Sequence, residues 1–221
     1  MRGHLSSINA VRFNQNGNYC MTCSDDRTLR LWNPHKSLPG QDSSALLIKS
    51  YSGVHGYPVL DVFITSDNAK FASCGMDRIC FLWDVSTGRV IRRFQGHSHR
   101  INVVNMNDDC TVLITGSYDK TVKLWDLRAA NSRDPIQTIE NFKDSVTSLA
   151  KTNSEVIAGC VDGILRIFDI RAGRLYEDDQ VEPITHVSLT HDRKCILSPT
   201  IGGRINLTEL STGQLLRLYQ G

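Results

Sequence analysis

Three tryptophans close near-identical phrases, and their spacing limits what this chain can fold into more than any other feature. Trp32, Trp83 and Trp125 end the runs TLRLW (28–32), ICFLW (79–83) and TVKLW (121–125). A fourth copy, ILRIF, ends at Phe168, and a weaker fifth, RINLT, ends at Thr208. The anchors lie 51, 42, 43 and 40 residues apart. A period near 40 residues marks a repeat architecture, in which each unit buries its faces only against its neighbours. Within each phrase aliphatic and variable positions alternate, which is the period of a strand. Two further strand-like runs precede every anchor, such as 8–13 with 19–24 and 101–106 with 112–117. After the turns 86–88 and 211–213, a fourth run follows at 89–94 and 214–219. Each unit therefore predicts four short strands, and no segment longer than a turn shows helical periodicity.

Composition bounds the class. The 221 residues are 40% hydrophobic and 22% charged, enough for a packed core. Lys plus Arg number 25 against 23 Asp plus Glu, a net charge of +2, which argues against a dedicated nucleic-acid or membrane-surface binder. No apolar run approaches the roughly 20 residues that span a bilayer. No apolar stretch follows Met1 to His4, so no signal peptide is expected. Seven cysteines without secretory context favour free thiols and a reducing compartment, the cytosol or nucleus.

Four strands per unit, with Gly-His near the start and Trp-Asp near the end, form the blade signature of a β-propeller. Gly3–His4, Gly96–His97, Trp83–Asp84 and Trp125–Asp126 carry it here. The chain resembles the WD-repeat family, and the resemblance covers nearly its whole length. The expected fold is all-β: one propeller segment over 1–221, with five four-stranded blades near 3–53, 54–95, 96–140, 141–179 and 180–221. Val54 splits the second Gly-His pair. Residues 34–45 read as a polar loop insertion after the first anchor.

A polar set recurs in the first three units: His4, Thr22, Asp26 and Trp32; His55, Ser73, Asp77 and Trp83; His97, Thr115, Asp119 and Trp125. His to Asp is 22 residues and His to Trp is 28 in each. The residue types suit a hydrolytic triad, but a catalytic set occurs once, whereas three equal copies serve architecture. The family resemblance implies a buried chain from indole to hydroxyl to imidazole to the turn Asp, since doubly covered strands must satisfy their polar groups internally. No enzyme activity is expected. In the fourth unit Phe142, Ala158 and Phe168 replace His, hydroxyl and Trp, and Asp162 remains. In the fifth Gln180, Gly202 and Thr208 take the His, Asp and Trp places, and Ser198 is kept. These two blades are expected to rely on packing.

Cys20 and Cys23 have the look of half a metal or redox site. No second pair has ligand spacing, and three residues along a strand put the thiols on opposite faces. Cys23 aligns with Cys74, Gly116 and Gly159, a column that wants small residues. Core packing is the expected role, with no metal and no cofactor.

The first unit (AVRFN at 10–14, GNYC at 17–20, TLRLWNP at 28–34) resembles the mitogen-activated protein kinase organizer subfamily of WD-repeat proteins. So do YSG at 51–53, GY at 56–57, VLD at 59–61 and IAGCVDG at 157–163. The resemblance implies a non-catalytic scaffold that gathers kinase-cascade components, with a pre-mRNA splicing assembly as the alternative association. It also implies a ring of seven blades, of which five are present, so the chain is expected to be an open arc and a truncated product. The outer faces of the end blades would then expose Val11, Leu29 and Leu31 in the first, and Leu189, Ile205 and Leu207 in the fifth.

Binding is expected on loops and rims, with other proteins as partners and no small-molecule substrate. Family geometry places Tyr57, Met76, Arg100, Tyr118, Lys143 and Val161, with Asp25 nearby, on the narrow face of the ring. Aromatic, Met and Arg residues are the types enriched at binding hot spots. A rival site is the Trp-Asp-x-Arg phrase ending at Arg128, with its counterpart ending at Arg171. It resembles the box that docks substrate receptors on the adaptor of cullin-4 ubiquitin ligases. The basic run Arg89, Arg92, Arg93, His97, His99 and Arg100 suggests RNA only weakly, because outer strands carry such charges as solvated edges.

Overall fold

A computed structural model of the chain describes residues 3–37, 45–129, 133–152 and 154–220. Twenty strands form five separate four-stranded antiparallel sheets, and no helix occurs among the described residues. The first blade holds β1 (Ile8–Phe13), β2 (Cys20–Ser24), β3 (Leu29–Asn33) and β4 (Leu46–Tyr51). The second holds β5 (Val59–Ile64), β6 (Lys70–Gly75), β7 (Ile79–Asp84) and β8 (Val90–Gln95). The third holds β9 (Ile101–Met106), β10 (Val112–Ser117), β11 (Val122–Asp126) and β12 (Gln137–Ile139). The fourth holds β13 (Val146–Lys151), β14 (Glu155–Cys160), β15 (Ile164–Asp169) and β16 (Arg174–Asp179). The fifth holds β17 (Ser188–Leu189), β18 (Cys195–Pro199), β19 (Arg204–Glu209) and β20 (Leu215–Gln220). Most of the insertion after the first anchor lies outside the described residues.

Side-chain alternation gives every sheet two faces, and the core lies between sheets. Met21, Cys23, Leu29 and Tyr51 pack on Phe71, Phe81 and Trp83 of the second blade. Cys74, Leu82 and Phe94 pack on Trp125 of the third, and Val122 and Ile139 on Phe168 of the fourth. Ile157 and Leu165 meet Val187 and Ile196 of the fifth. Trp83, Trp125 and Phe168 thus each face the preceding blade. Four cores join five blades, and none joins the fifth to the first, so among the described residues the sheets form an open arc.

Three residues expected on the open faces are covered instead. Leu29 is fully buried and Leu31 partly buried against the second blade, because both lie on the face of β3 opposite Trp32. Leu189 packs into the core between the fourth and fifth blades. Val11, Phe13 and Leu47 are exposed in the first blade, and Ile205 and Tyr219 in the fifth.

The inner strand of the fifth blade is shorter than its sequence suggests. Ile184 makes an isolated bridge to Thr200, and regular pairing resumes only at Ser188 opposite Leu197. Pro199 stands between those two points and has no N–H to give the ladder. Crowding explains the small-residue column. A Cβ on Gly116 would sit 2.7 Å from Val146 Cγ1, and one on Gly159 would sit 2.7 Å from Val187 Cγ2. Cys23 and Cys74 fill the same column fully buried.

Candidate functional site

The turn between the second and third strands of each blade is tied to the loop that enters the first strand. Five equivalent N–H donors make the tie: Asp25 to Ser7 O, Met76 to Pro58 O, Tyr118 to Arg100 O, Val161 to Ser145 O and Ile201 to Pro183 O, all at 3.0 Å. These ties build one continuous rim from turns and loops.

Under this rim lie the polar chains. In the third blade Trp125 Nε1–H donates to Thr115 Oγ1 at 3.0 Å. His97 Nε2 lies 2.8 Å from the same hydroxyl, and Nδ1 lies 2.8 Å from Asp119 Oδ2. The first and second blades repeat the arrangement, with imidazole-to-carboxylate distances of 2.8 and 2.6 Å. The indole can only donate, so the hydroxyl accepts its N–H, and the imidazole bridges that hydroxyl and the turn carboxylate through its two ring nitrogens. Burial would raise the Asp119 carboxyl, but bonds from His97, Thr121 and the Ser98 N–H hold it below the usual range. Asp26 is likewise held low by Thr28, the Leu5 N–H and His4 against burial. Thr22, Ser73 and Thr115 are buried with their bonds satisfied, so no substrate reaches them. His97→Ala strands a buried hydroxyl and indole and is expected to cost about 1–3 kcal/mol. Gln180→Ala, which removes a half-exposed bond from Asn206, should cost under about 1 kcal/mol. Thermal melts compare the two, and equal shifts would contradict a structural role for the chain of bonds.

The fourth blade departs from the expectation of packing alone. Arg166 Nη1 lies 2.8 Å from Asp162 Oδ2, its Nε lies 2.9 Å from Glu177, and its guanidinium sits 5.0 Å from the Phe142 ring centroid. The side chain is 1% exposed. With imidazole and hydroxyl gone, the turn Asp needs another buried donor, and Arg166 supplies it from the adjacent strand. In the fifth blade Asn206 donates to Gln180 at 3.1 Å, while the buried Ser198 hydroxyl has no partner among the described residues.

Tyr57, Met76, Arg100, Tyr118, Lys143 and Val161 all lie exposed on the rim. Arg100 stacks its guanidinium 4.7 Å from the Tyr118 ring centroid, and His99 packs on the same ring. Sequence reasoning missed Ile201, Leu5 and Val181, which add exposed apolar surface to the rim. Arg128 and Arg171 follow the third strands of their blades and lie at the opposite end of the sheets. Arg128 is largely exposed beside Asp126. The basic run does not form a patch: His97 is buried, Arg92 donates to Asp126 O, and Arg93 lies over Phe81. Along the axis Arg12 pairs with the buried Asp61, and Lys151 and Arg193 share Asp108. Burial pushes the Asp61 carboxyl up against the pull of Arg12.

A model of the "WD domain, G-beta repeat" matches residues 1–33, 47–84, 88–126 and 133–169. The chain belongs to the WD40-repeat family. The fifth unit lies outside those matches and still folds as four strands. The WD40 chain is 32% identical to the WD repeat domain-containing protein 83 homolog of Dictyostelium discoideum, over 100% of its own length and 74% of the relative's. It is 40% identical to WD repeat domain-containing protein 83 of Rattus norvegicus, over 97% of its length and 65% of the relative's. More distantly, it is 28% identical over 77% of its length to the pre-mRNA-splicing factor cwf17 of Schizosaccharomyces pombe, and spans 48% of that protein. No helix among the described residues is long and apolar enough to cross a membrane.

Proposed function

We propose that the chain is a non-catalytic scaffold of the cytosol or nucleus whose rim of turns and loops gathers protein partners. The carrying observation is the exposed cluster of Tyr57, Met76, Arg100 and Tyr118 on a rim held rigid from below by three buried polar chains. Rigid aromatic and arginine side chains lose little entropy on binding, which suits them as anchors. The likeness to proteins of the WD repeat domain-containing protein 83 type supports kinase-cascade components as the partners. The likeness to a splicing factor supports a second reading, a subunit of a splicing assembly. A ubiquitin-ligase substrate receptor is the third, and it would use Arg128 and Arg171 on the other rim.

Affinity purification with mass spectrometry, run on the wild type and on two variant pairs, tests this reading. Tyr118→Ala and Arg100→Ala are each expected to weaken partner capture by over about 1 kcal/mol, roughly fivefold or more, with unchanged melting. Capture that survives both changes and is lost with Arg128→Glu and Arg171→Glu would move the function to the ligase-adaptor rim.

A further inference from the structure

The turn of each blade puts one residue in the left-handed backbone region. In the fourth and fifth blades that residue is glycine, Gly163 (φ 81°) and Gly203 (φ 79°). In the first three it is Arg27 (φ 65°), Arg78 (φ 64°) and Lys120 (φ 67°). A side chain in this region carries a steric cost that glycine avoids. The fourth and fifth blades show that the turn accepts glycine, so these three cations are held against the preference of the backbone.

Among the described residues, none of these three cations pairs with a carboxylate. Arg12, Lys151, Arg166 and Arg193 each pair with a carboxylate. On the rim, Arg27 reaches only the Gly56 carbonyl, at 3.4 Å. Among the described residues, Arg78, Lys120, Lys143 and Arg100 make no ion pair, and Arg100 engages only the Tyr118 ring. Asp25 accepts from Asn9, Asp144 from the Ser145 N–H, and Glu182 from Thr200 while pairing with Arg204, so none of these three carboxylates pairs with the five cations. A chain of net charge +2 thus gathers five cations without carboxylate partners around the exposed Tyr57, Met76 and Tyr118.

We propose that this rim takes an acidic peptide segment, whose carboxylates meet Arg27, Arg78, Arg100, Lys120 and Lys143 while an apolar or aromatic side chain seats among Tyr57, Met76 and Tyr118. The proposal rests on the rim being the partner face and adds the chemistry of the partner. Nucleic acid fits less well. Met76, Val161 and Ile201 offer bases no stacking plane, and Arg100 and His99 already pack on the Tyr118 ring.

Fluorescence anisotropy on the full chain, with a glutamate–tyrosine copolymer as probe, tests it. The wild type binds, and binding weakens as salt rises. The triple variant Arg27→Gly, Arg78→Gly, Lys120→Gly loses at least about tenfold in affinity while its melting temperature holds or rises, because glycine relieves the turns. The control Arg89→Ser, Arg174→Ser, Lys194→Ser removes the same charge from the opposite rim and keeps the affinity. Equal losses in the two triples, no binding by the wild type, or equally tight binding of poly-uridylate would each overturn the proposal. Partner capture separates the two levels. Capture kept by the glycine triple and lost with Tyr118→Ala overturns the acidic chemistry and leaves the rim. Capture indifferent to both and lost with Arg128→Glu overturns the rim itself.

Discussion

Asp162→Ala is expected to destabilise the protein by about 3–5 kcal/mol, more than loss of any histidine in the polar chains. The substitution leaves the Arg166 guanidinium, 1% exposed, with the half-exposed Glu177 and the Phe142 ring as its remaining partners. A buried charge stripped of its main counter-ion keeps its desolvation cost and loses most of its compensation. The double change Asp162→Ala with Arg166→Met removes the charge and keeps most of the volume, so it should recover much of the loss. Denaturant midpoints measure both, and a single variant no worse than Gln180→Ala would mean that the ion pair carries no stability. The pH dependence has a definite sign. Burial alone would raise the Asp162 carboxyl, but the Ile164 N–H, the Cys160 thiol, the Lys143 N–H and Arg166 hold it below the usual range. A lowered carboxylate stabilises the fold above its unfolded value, about pH 4, and that stability is lost as pH falls through the lowered folded value. Asp26 and Asp119 share this direction, so acid should weaken the first, third and fourth blades together.

Much of the architecture was legible because a repeat states its rule several times. Intervals of 22 and 28 residues, given three times, identify the polar chains before any coordinate is known. The fourth blade was harder, because the loop between its first and second strands is two residues shorter and puts Phe142 only 20 residues before Asp162. The place two before the anchor holds Arg30, Phe81, Lys123, Arg166 and Asn206, so an arginine there is no signal by itself. The readable signal was joint: a turn Asp kept after both its imidazole and the hydroxyl were lost needs a new donor. Ile201 escaped for the converse reason, since Gly202 erases the Asp that marks the column. Leu29 and Leu31 were assigned to the wrong side because a period of two defines two faces without naming their neighbours. Only the finding that Trp83 and Trp125 look toward the preceding blade resolves that choice.

The open ends lead to the second large effect, association of the isolated 221-residue chain. A paired device links blades in the interior. Tyr51 packs edge-on against Trp83 and donates to Val85 O, while Lys49 donates to Val85 O and Ser86 O. Phe94 packs against Trp125 and Arg92 donates to Asp126 O, with the guanidinium 4.6 Å from the Phe94 centroid. Arg217 and Tyr219 hold the same places on β20, 5.1 Å apart, and no blade covers them among the described residues. Tyr219 is 42% exposed, against 3% for Tyr51 and 2% for Phe94. Across the arc, Val11, Phe13 and Leu47 are open on the first blade. Apolar faces of this kind promote contacts between molecules. A second five-blade arc cannot extend the first as one ring, since propellers hold at most about eight blades and the surplus blades would collide. Contacts between copies are therefore imperfect and do not close, which favours growth over a defined dimer. Light scattering should show an apparent mass that climbs with concentration. Val11→Asp, Phe13→Asp and Tyr219→Asp together should return the chain to a monomer with little change in melting, because all three side chains are already exposed. A wild-type chain that stays monomeric at every concentration, or a triple variant that associates as strongly, would show that these faces do not drive contact.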